Sequence, residues 1–292
     1  MSWKQISFKV KKSETDLISE VLMGLGSLSI TYSDAQDDAI YEPPVGQTPL
    51  WDSVIVNALF SSEVNQKFIE TSIVEICNIV VMETLELEDR VWEDECKKDF
   101  SSMRFGKRLW VCPSWDINTK FSNDSLVINM NPGLAFGTGT HQTTSLCLEY
   151  LDLNPPKNLH VIDFGCGTGV LAIAAAKLGA KSVVAIDNDP QAVLSSKENV
   201  AKNNCENIIS TIHSIDQKEG TECDLLIANI LANPLIELEP LFSDLVYSNG
   251  MLLLSGILKE QVNKVIRCYS VNFSNIKVLN KDEWFRISAK RR

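Results

Sequence analysis

A glycine-rich turn between two apolar strands constrains the fold of this chain more than any other feature. The segment is Val161-Ile-Asp-Phe-Gly-Cys-Gly-Thr-Gly169, and a helix-like stretch and a second strand ending at Asp187 follow it. Glycines at such a place let a strand turn sharply into a helix and leave backbone N–H groups uncovered, so that a ligand can lie against the main chain. Asp187 comes about 20 residues further on, where doubly wound folds place a carboxylate that holds ribose hydroxyls. The pattern therefore predicts a nucleotide-shaped site.

The spacing of the glycines separates the classes of cofactor. A dinucleotide-binding turn has the form G-x-G-x-x-G, whereas the third glycine comes one residue earlier here, at Gly169. An NAD-linked oxidoreductase is therefore only a weak alternative. A turn of this kind can also lack a ligand, and Asp187 can be a simple helix-entry residue. Asp163 before the turn and Asp187 after it favour a ligand. The whole stretch resembles motif I and the following acidic strand end of the class I S-adenosylmethionine (SAM) methyltransferases.

The first 88 residues predict a small α/β domain. Strand-like segments lie at residues 3–10, 28–32, 54–60 and 84–87, and helix-like segments lie at residues 13–22, capped by Ser13, and 63–76. The order βαββαβ is that of a ferredoxin-like split βαβ sandwich. Residues 89–104 are highly charged, and we expect them to form a helical linker.

Residues 105–292 predict a larger and more regular domain. Strand-like segments lie at residues 109–112, 126–130, 160–164, 182–186, 224–228 and 251–254, and a closing hairpin at 275–279 and 284–289. Helices are expected at residues 143–151, 170–178, 190–203 and 259–269, and after Pro234 with a break at Pro240. Alternating strands and helices require right-handed crossovers. The fold class is therefore α/β, with a doubly wound, mostly parallel sheet and a smaller N-terminal domain.

The net charge of −11 is concentrated near the start of the chain, because residues 1–90 contain 15 Asp and Glu against 6 Lys and Arg. An acidic surface repels phosphate backbones, so we expect no direct contact with nucleic acid. It suits a basic protein partner, although a surface that is acidic only for solubility has the same composition.

Cysteine usage and hydropathy exclude other classes. The eight cysteines include no C-x-x-C pair and the chain has three histidines, so we expect neither a metal site nor disulfides. There is no apolar run of about 18 residues and no basic-then-apolar leader, which predicts no membrane span. The expected location is cytoplasmic.

Two polar segments are expected to join the glycine turn at the carboxyl ends of the parallel strands. In Asn229-Ile-Leu-Ala-Asn-Pro234, the leading asparagine can hold an amine with its lone pair aimed at a methyl donor, or it can be a turn or cap residue. The segment Asn131-Pro-Gly-Leu-Ala-Phe-Gly-Thr-Gly-Thr-His-Gln-Thr-Thr144 has glycines that free the backbone to fold over a ligand. Its His141 fits a structural hydrogen-bonding role better than that of a catalytic base.

Taken together, these segments resemble the PrmA family, the methyltransferases of large-subunit ribosomal protein L11. The resemblance extends essentially from end to end of the chain. The segments that carry it are Met103-Arg-Phe-Gly, Trp110, Pro113-Ser-Trp115, the loop Gly133 to Thr144, the glycine turn, Asn229-Ile-Leu-Ala and Leu254-Ser-Gly-Ile-Leu258. The phenylalanine-led F-G-T-G-T-H loop joined to motif I is more specific than either piece alone.

The resemblance implies a fold, a reaction and a set of contacts. It implies a seven-stranded methyltransferase sheet at residues 105–292, and SAM as the donor. The acceptors are lysine side chains and the terminal amine of ribosomal protein L11, which residues 1–88 recognise. The predicted contacts with SAM are Thr144, Gly165, Asp187, Asn229, Gly167, Gly137 and Thr138, and Asn229 is also the predicted catalytic residue. The alternatives are a SAM-dependent N-methyltransferase of another protein or a small amine, and a ribosome-associated protein that binds SAM without chemistry.

Overall fold

The protein is described by a computed structural model that covers residues 2–36, 40, 48–77, 79, 81–88, 101–116, 118–130, 141–216 and 222–292. The chain divides into two compact units, Met1–Asp94 and Glu95–Arg292. The expected first domain ends at residue 88, the last residue of a described strand, and most of the expected helical linker, residues 89–100, falls outside the described residues. Residues 103 and 104, placed at the end of that linker, instead belong to a strand of the second unit.

The first unit has the βαββαβ order that the sequence predicts. Its elements are β1 (Ser2–Lys11), α1 (Thr15–Gly24), β2 (Ser29–Asp34), β3 (Ser53–Ser61), α2 (Gln66–Cys77) and β4 (Val81–Glu88). The strands form one antiparallel sheet in the order β2-β3-β1-β4. Ile6, Phe8, Val54 and Val56 alternate along β1 and β3 and are fully buried. The ferredoxin-like topology is confirmed.

One boundary in this unit differs from the prediction. Ser13 lies inside a short 3-10 turn, Lys12–Glu14, and α1 begins after it, so Ser13 does not cap the helix. The side chain of Glu14 accepts a hydrogen bond from the Lys11 N–H at 2.8 Å, which stabilises the turn. Glu14 is the N-cap residue of α1, but its side chain makes no hydrogen bond to the first turn of that helix.

A small sheet and a helix open the second unit. The strands β5 (Met103–Phe105), β6 (Leu109–Cys112) and β7 (Leu126–Asn129) pair in that order, with β5 antiparallel to β6 and β6 parallel to β7. Helix α3 (Gln142–Leu153) follows. Its residues 143 to 148 are all buried, so the start of this helix lies in the core of the unit.

The main sheet has seven strands, and their order confirms the predicted fold class. The strands are β8 (His160–Phe164), β9 (Ser182–Asp187), β10 (Ile209–His213), β11 (Cys223–Asn229), β12 (Val246–Leu258), β13 (Phe273–Lys281) and β14 (Trp284–Arg291). They are arranged β10-β9-β8-β11-β12-β14-β13. The first five are parallel, and β14 is antiparallel to both of its neighbours.

Helices cover both faces of this sheet. They are α4 (Val170–Lys177), α5 (Pro190–Lys202), α6 (Ala232–Glu237), α7 (Glu239–Leu245) and α8 (Val262–Tyr269). Neighbouring residues along a strand enter different cores, as Val161 packs with α3 and α4 whereas Ile162 packs with α6 to α8. This two-sided burial is the physical basis of the nearly continuous apolar strands.

Two features of the second unit departed from the expected pattern. The sequence did not predict β10, and the break in the helical region falls at Leu238, since Pro240 is the second residue of α7. A proline is tolerated in the first turn of a helix because its missing N–H has no partner there. Within the described residues, no helix has the length and apolar character needed to cross a membrane.

Candidate active site

The glycine turn after β8 is built from left-handed backbone. Gly165, Gly167 and Gly169 have φ of +74°, +53° and +80°, a region that side chains of L-residues disfavour. A Cβ atom on Gly165 would lie 2.3 Å from Cγ2 of Ile230, and one on Gly169 would lie 2.5 Å from Oγ of Ser196. The three glycines therefore leave the backbone of the turn uncovered by side chains of their own. The turn leads into α4 at Val170.

Asp187 closes the adjacent strand and is bonded to this turn. One carboxylate oxygen, Oδ2, accepts from the Gly167 N–H at 2.8 Å, and the other accepts from the Asp189 N–H at 3.0 Å. The side chain is half-buried. Asp189 in turn caps α5 by accepting from the Gln191 N–H at 2.9 Å. The carboxylate is therefore fixed in place at the carboxyl edge of the sheet, with one face still reachable.

Asp163 lies beneath the turn and is almost completely buried, with 1% of its surface exposed. Its Oδ2 accepts from the Ala172 N–H at 2.9 Å, and among the described residues no group donates to its Oδ1. Burial raises the pKa of Asp163 to about 7, the Ala172 N–H opposes this rise, and the charge of Asp187 adds to it. A buried acceptor oxygen that lacks a donor is costly in a core.

Asn229 ends β11 and lies next to the start of α3. Its Nδ2 donates to Oγ1 of Thr144 at 3.3 Å, and Thr144 is fully buried. Because β11 is the neighbour of β8 in the sheet, Asn229 comes out beside the glycine turn. Asn229 and Thr144 are 85 residues apart in the chain, and the fold brings them together as the sequence predicts.

The beginning of α3 is held by the residue that precedes it. His141 is the N-cap, since its Nδ1 accepts from the Thr143 N–H. Its ring packs edge-on against Trp284, with centroids 4.9 Å apart. Burial lowers the pKa of His141 while Glu283 opposes that shift, and the neutral imidazole is the form that can accept at Nδ1. The histidine therefore has the structural role expected of it.

The β13–β14 hairpin also holds α3 in place. Lys281 Nζ lies 2.7 Å from Oγ of Ser145 and 3.3 Å from Oε1 of Glu149. Gln142 donates to Asp282 at 3.3 Å. These contacts were not foreseen from the sequence, because they join residues more than 130 positions apart through polar side chains that carry no recognisable spacing.

Of the predicted contacts, the structure gathers Gly165, Gly167, Asp187, Asn229 and Thr144 at one edge of the sheet. Gly137 and Thr138 lie outside the described residues and remain predictions. Ile230, Ser255 and Gly256 also lie at this edge, although no individual role was predicted for them. A visible signal for Ser255 and Gly256 was the Leu254-Ser-Gly-Ile-Leu258 segment, whose glycine interrupts an apolar strand. Within the described residues, no group of three or more His, Cys, Asp or Glu side chains is placed to hold a metal ion.

Comparison with known proteins links this arrangement to one family. The family model described as ribosomal protein L11 methyltransferase (PrmA) matches residues 2–292. A protein named ribosomal protein L11 methyltransferase from Pasteurella multocida (strain Pm70) is 43% identical over 293 residues, which cover 99% of both chains. One of the same name from Shewanella sp. (strain W3-18-1) is 41% identical over 301 residues, which cover 100% of both chains.

A solved structure agrees with these relatives. The crystal structure of ribosomal protein L11 methylase from Lactobacillus delbrueckii subsp. bulgaricus aligns with a TM-score of 0.61 at 32% identity. The alignment covers 66% of this chain and 100% of that chain. The family match spans nearly the whole sequence and both relatives match over their full length. The chain therefore belongs to the ribosomal protein L11 methyltransferase (PrmA) family.

Proposed function

We propose that the protein transfers methyl groups from SAM to amino groups of large-subunit ribosomal protein L11, both lysine side chains and the terminal amine. The names of the relatives supply the substrate, and membership of a methyltransferase family supplies the reaction class. The observation that carries the proposal is the meeting of the Gly165 turn, Asp187 and Asn229 at the carboxyl edge of one parallel sheet, where open α/β sheets bind their ligands.

The residues present fit a nucleoside with an amino-acid tail. A side chain on Gly165 would fill the cradle, as its Cβ would already lie 2.3 Å from Ile230. The fixed carboxylate of Asp187 can accept from two adjacent ribose hydroxyls. Gly165, Gly167, Asp187, Thr144 and Asn229 are proposed to hold SAM, together with Gly137 and Thr138.

Asn229 is proposed to orient the acceptor. SAM, when bound, supplies a methyl group on a sulfonium, so the donor arrives already activated. The side chain of Asn229 is held through Nδ2 by Thr144, which leaves its carbonyl Oδ1 as an acceptor for the N–H of an amine. An amine held this way has its lone pair free to point at the donor. Positioning of two reactants accounts for up to about 7–11 kcal/mol of a barrier.

The acceptor must also lose its proton before it can attack. With a reference pKa near 10.4, a lysine at pH 7 is a free base at a cost of about 4.6 kcal/mol, while a terminal amine near 7.8 costs about 1 kcal/mol. Desolvation in the site lowers the pKa of a lysine, and the neutral amide of Asn229 does not stabilise the ammonium as a carboxylate would. We therefore assign deprotonation to the environment of the site and not to a dedicated base.

The first unit is proposed to grip the protein substrate. It carries most of the negative charge of the chain, and an acidic surface suits a basic partner such as a ribosomal protein. A linker before β5 would let the unit present several amines in turn. Modification of a ribosomal protein supports a cytoplasmic location. Multiple methylation follows from the chemistry, since each methylated product is still an amine.

One experiment tests the proposal directly. Purified ribosomal protein L11 is incubated with the full chain and SAM, and intact-mass and peptide mass spectrometry then locate the added methyl groups. Methyl groups on lysine or terminal amines of L11, absent with the Asn229→Ala variant, are the expected result. Unmodified L11, together with transfer of labelled methyl groups to another protein or a small amine, would show that the substrate is not L11. Bound SAM with no methyl transfer to any acceptor would indicate a protein that binds SAM without catalysing a reaction.

A further inference from the structure

Ile230, the residue after Asn229, lies between Gly165, in the turn after β8, and Gly256, in β12. A Cβ atom on Gly165 would lie 2.3 Å from Cγ2 of Ile230, and one on Gly256 would lie 2.2 Å from the carbonyl oxygen of Ile230. Both glycines have left-handed backbone, with φ of +74° and +86°. Side chains do not tolerate such approaches, so the path of the chain after β11 depends on both positions being glycine.

The two approaches differ in kind. Gly165 faces the side chain of Ile230, which can turn or be shortened. Gly256 faces the peptide group of Ile230, with its carbonyl carbon at 2.8 Å and its nitrogen at 3.3 Å from the same Cβ position. A side chain at residue 256 would therefore have to displace the backbone directly beside Asn229.

Gly256 stands in a β-bulge. Along the pairing of β12 with β14, Leu254 is opposite Ile287 and Ile257 is opposite Phe285, so two residues of β12 face one residue of β14. These two residues are Ser255 and Gly256, and the one opposite them is Arg286. A bulge re-aims side chains and bends its strand, and bulges are frequent beside active sites.

Ser255 connects this bulge to the other side of the site. It is fully buried and pairs with Asn229 in the register of β11 and β12. Its Oγ lies 3.3 Å from the carbonyl oxygens of Thr143 and of Phe285, and can donate to either. Thr143 is next to Thr144, whose hydroxyl accepts from the Asn229 side chain.

We propose that the Ser255–Gly256 bulge is a positioning element for methyl transfer: Gly256 fixes the backbone after Asn229, and Ser255 fixes the helix turn that holds the Asn229 amide. This role rests on the proposed function of Asn229. It acts on the orientation of the acceptor amine more than on the affinity for SAM. The bulge contacts Ile230 and the start of α3, whereas Asp187, the proposed ribose contact, lies on β9, three strands away from β12 in the sheet.

The test compares two glycines of the same strand. Gly256→Ala is expected to lower kcat for methylation of ribosomal protein L11 by about 100-fold, a loss typical of a reactant misplaced by about 1 Å, while the Kd for SAM rises by much less. Gly250→Ala is the control, because its Cβ would lie 2.8 Å from Val246 Cγ1 and 2.9 Å from the Tyr247 oxygen, at the opposite end of the sheet. It is expected to lower Tm and leave kcat near that of the wild type. Equal kcat losses in the two variants, or a Gly256→Ala loss that lies wholly in SAM affinity, would overturn the proposal.

A milder variant covers the case in which Gly256→Ala does not fold. Ser255→Ala introduces no clash and removes one hydrogen bond, so kcat is expected to fall by about ten-fold with unchanged SAM affinity. An unchanged kcat would contradict the role of Ser255.

The NMR signal of the Asn229 side-chain amide reports on its position without depending on catalysis. The signal is identified by its loss in Asn229→Ala. It is expected to shift in Ser255→Ala and Gly256→Ala but not in Gly250→Ala. If wild-type protein neither binds SAM nor methylates, the proposed function fails. If the wild type is active and the amide signal does not move, only the positioning proposal fails.

Discussion

The backbone N–H of Gly167 donates to the Asp187 carboxylate at 2.8 Å, which joins the glycine turn and the acidic strand end into one unit. The Asp187→Asn change keeps the shape of the side chain and removes its charge. Because hydrogen bonds to a charged group contribute about 1.5–3 kcal/mol, the Kd for SAM is expected to rise by about 10- to 100-fold in calorimetry. Asp189→Asn is the matched control, since asparagine caps a helix as well as aspartate does. Equal SAM affinities in the two variants would contradict the assignment of Asp187 as a SAM contact.

Asn229 tests the idea that the acceptor is oriented by a neutral amide. Asn229→Ala is expected to lower kcat at saturating SAM by about 100-fold, because the amine loses its positioning contact. Asn229→Asp makes a sharper test. A carboxylate stabilises the ammonium form and raises the pKa of the acceptor, so the pH–rate profile is expected to move to higher pH. A near-wild-type rate for Asn229→Ala, or an unmoved profile for Asn229→Asp, would contradict the assigned role.

Gly165→Ala is expected to abolish SAM binding. Its Cβ would lie 2.3 Å from Ile230 Cγ2 in a backbone with φ of +74°, so the turn, the Ile230 side chain or the end of β11 must move. Gly179 is a control at the other end of α4, with φ of +99° and its closest neighbour at 3.6 Å. Gly179→Ala is expected to cost about 1–2 kcal/mol of stability from the left-handed backbone alone, with unchanged SAM affinity. Calorimetry measures the SAM affinity of both variants, and thermal unfolding measures their stability.

Asp163 gives the stability of the fold a pH dependence. Burial raises the pKa of this carboxyl to about 7 in the folded chain, against about 3.9 when unfolded. Between about pH 4 and 7 the folded chain therefore holds a proton that the unfolded chain has released. The contribution of Asp163 to the unfolding free energy falls as pH rises through this window, by about 4 kcal/mol at most.

The Asp163→Asn variant removes this titration. Denaturant titrations are expected to show that the variant becomes more stable relative to wild type as pH rises from 4 to 7. The amide oxygen can still accept from the Ala172 N–H. Parallel stability curves for variant and wild type over that range would show that Asp163 titrates alike in both states.

The strand, turn and helix at residues 160–177 could be predicted because each step has a local cause. An apolar run ends at glycines, and an apolar helix follows. The start of α5 was equally clear, since Asp189 and Pro190 are a cap and a first-turn residue, and Asp189 does accept from the Gln191 N–H.

Other features had no local signal. β10 was not predicted because the segment Ile209-Ser-Thr-Ile-His213 is short and polar. It lies at an edge of the sheet, where it pairs with β9. The contacts of Ile230 with Gly165 and Gly256 depend on the order of strands in the sheet, which local periodicity does not encode. The cap of α3 by His141 likewise depends on packing against Trp284.

The contacts that hold α3 have a consequence for how the molecule assembles. Gln142 meets Asp282, and Ser145 meets Lys281, across more than 130 intervening residues. Closing so long a loop delays contact formation, and folds dominated by distant contacts form slowly. A chain whose final hairpin has not docked lacks the support that places Thr144 beside Asn229. Nucleoside binding should therefore appear late in refolding, in step with the last native tertiary signal and well after helix content has recovered.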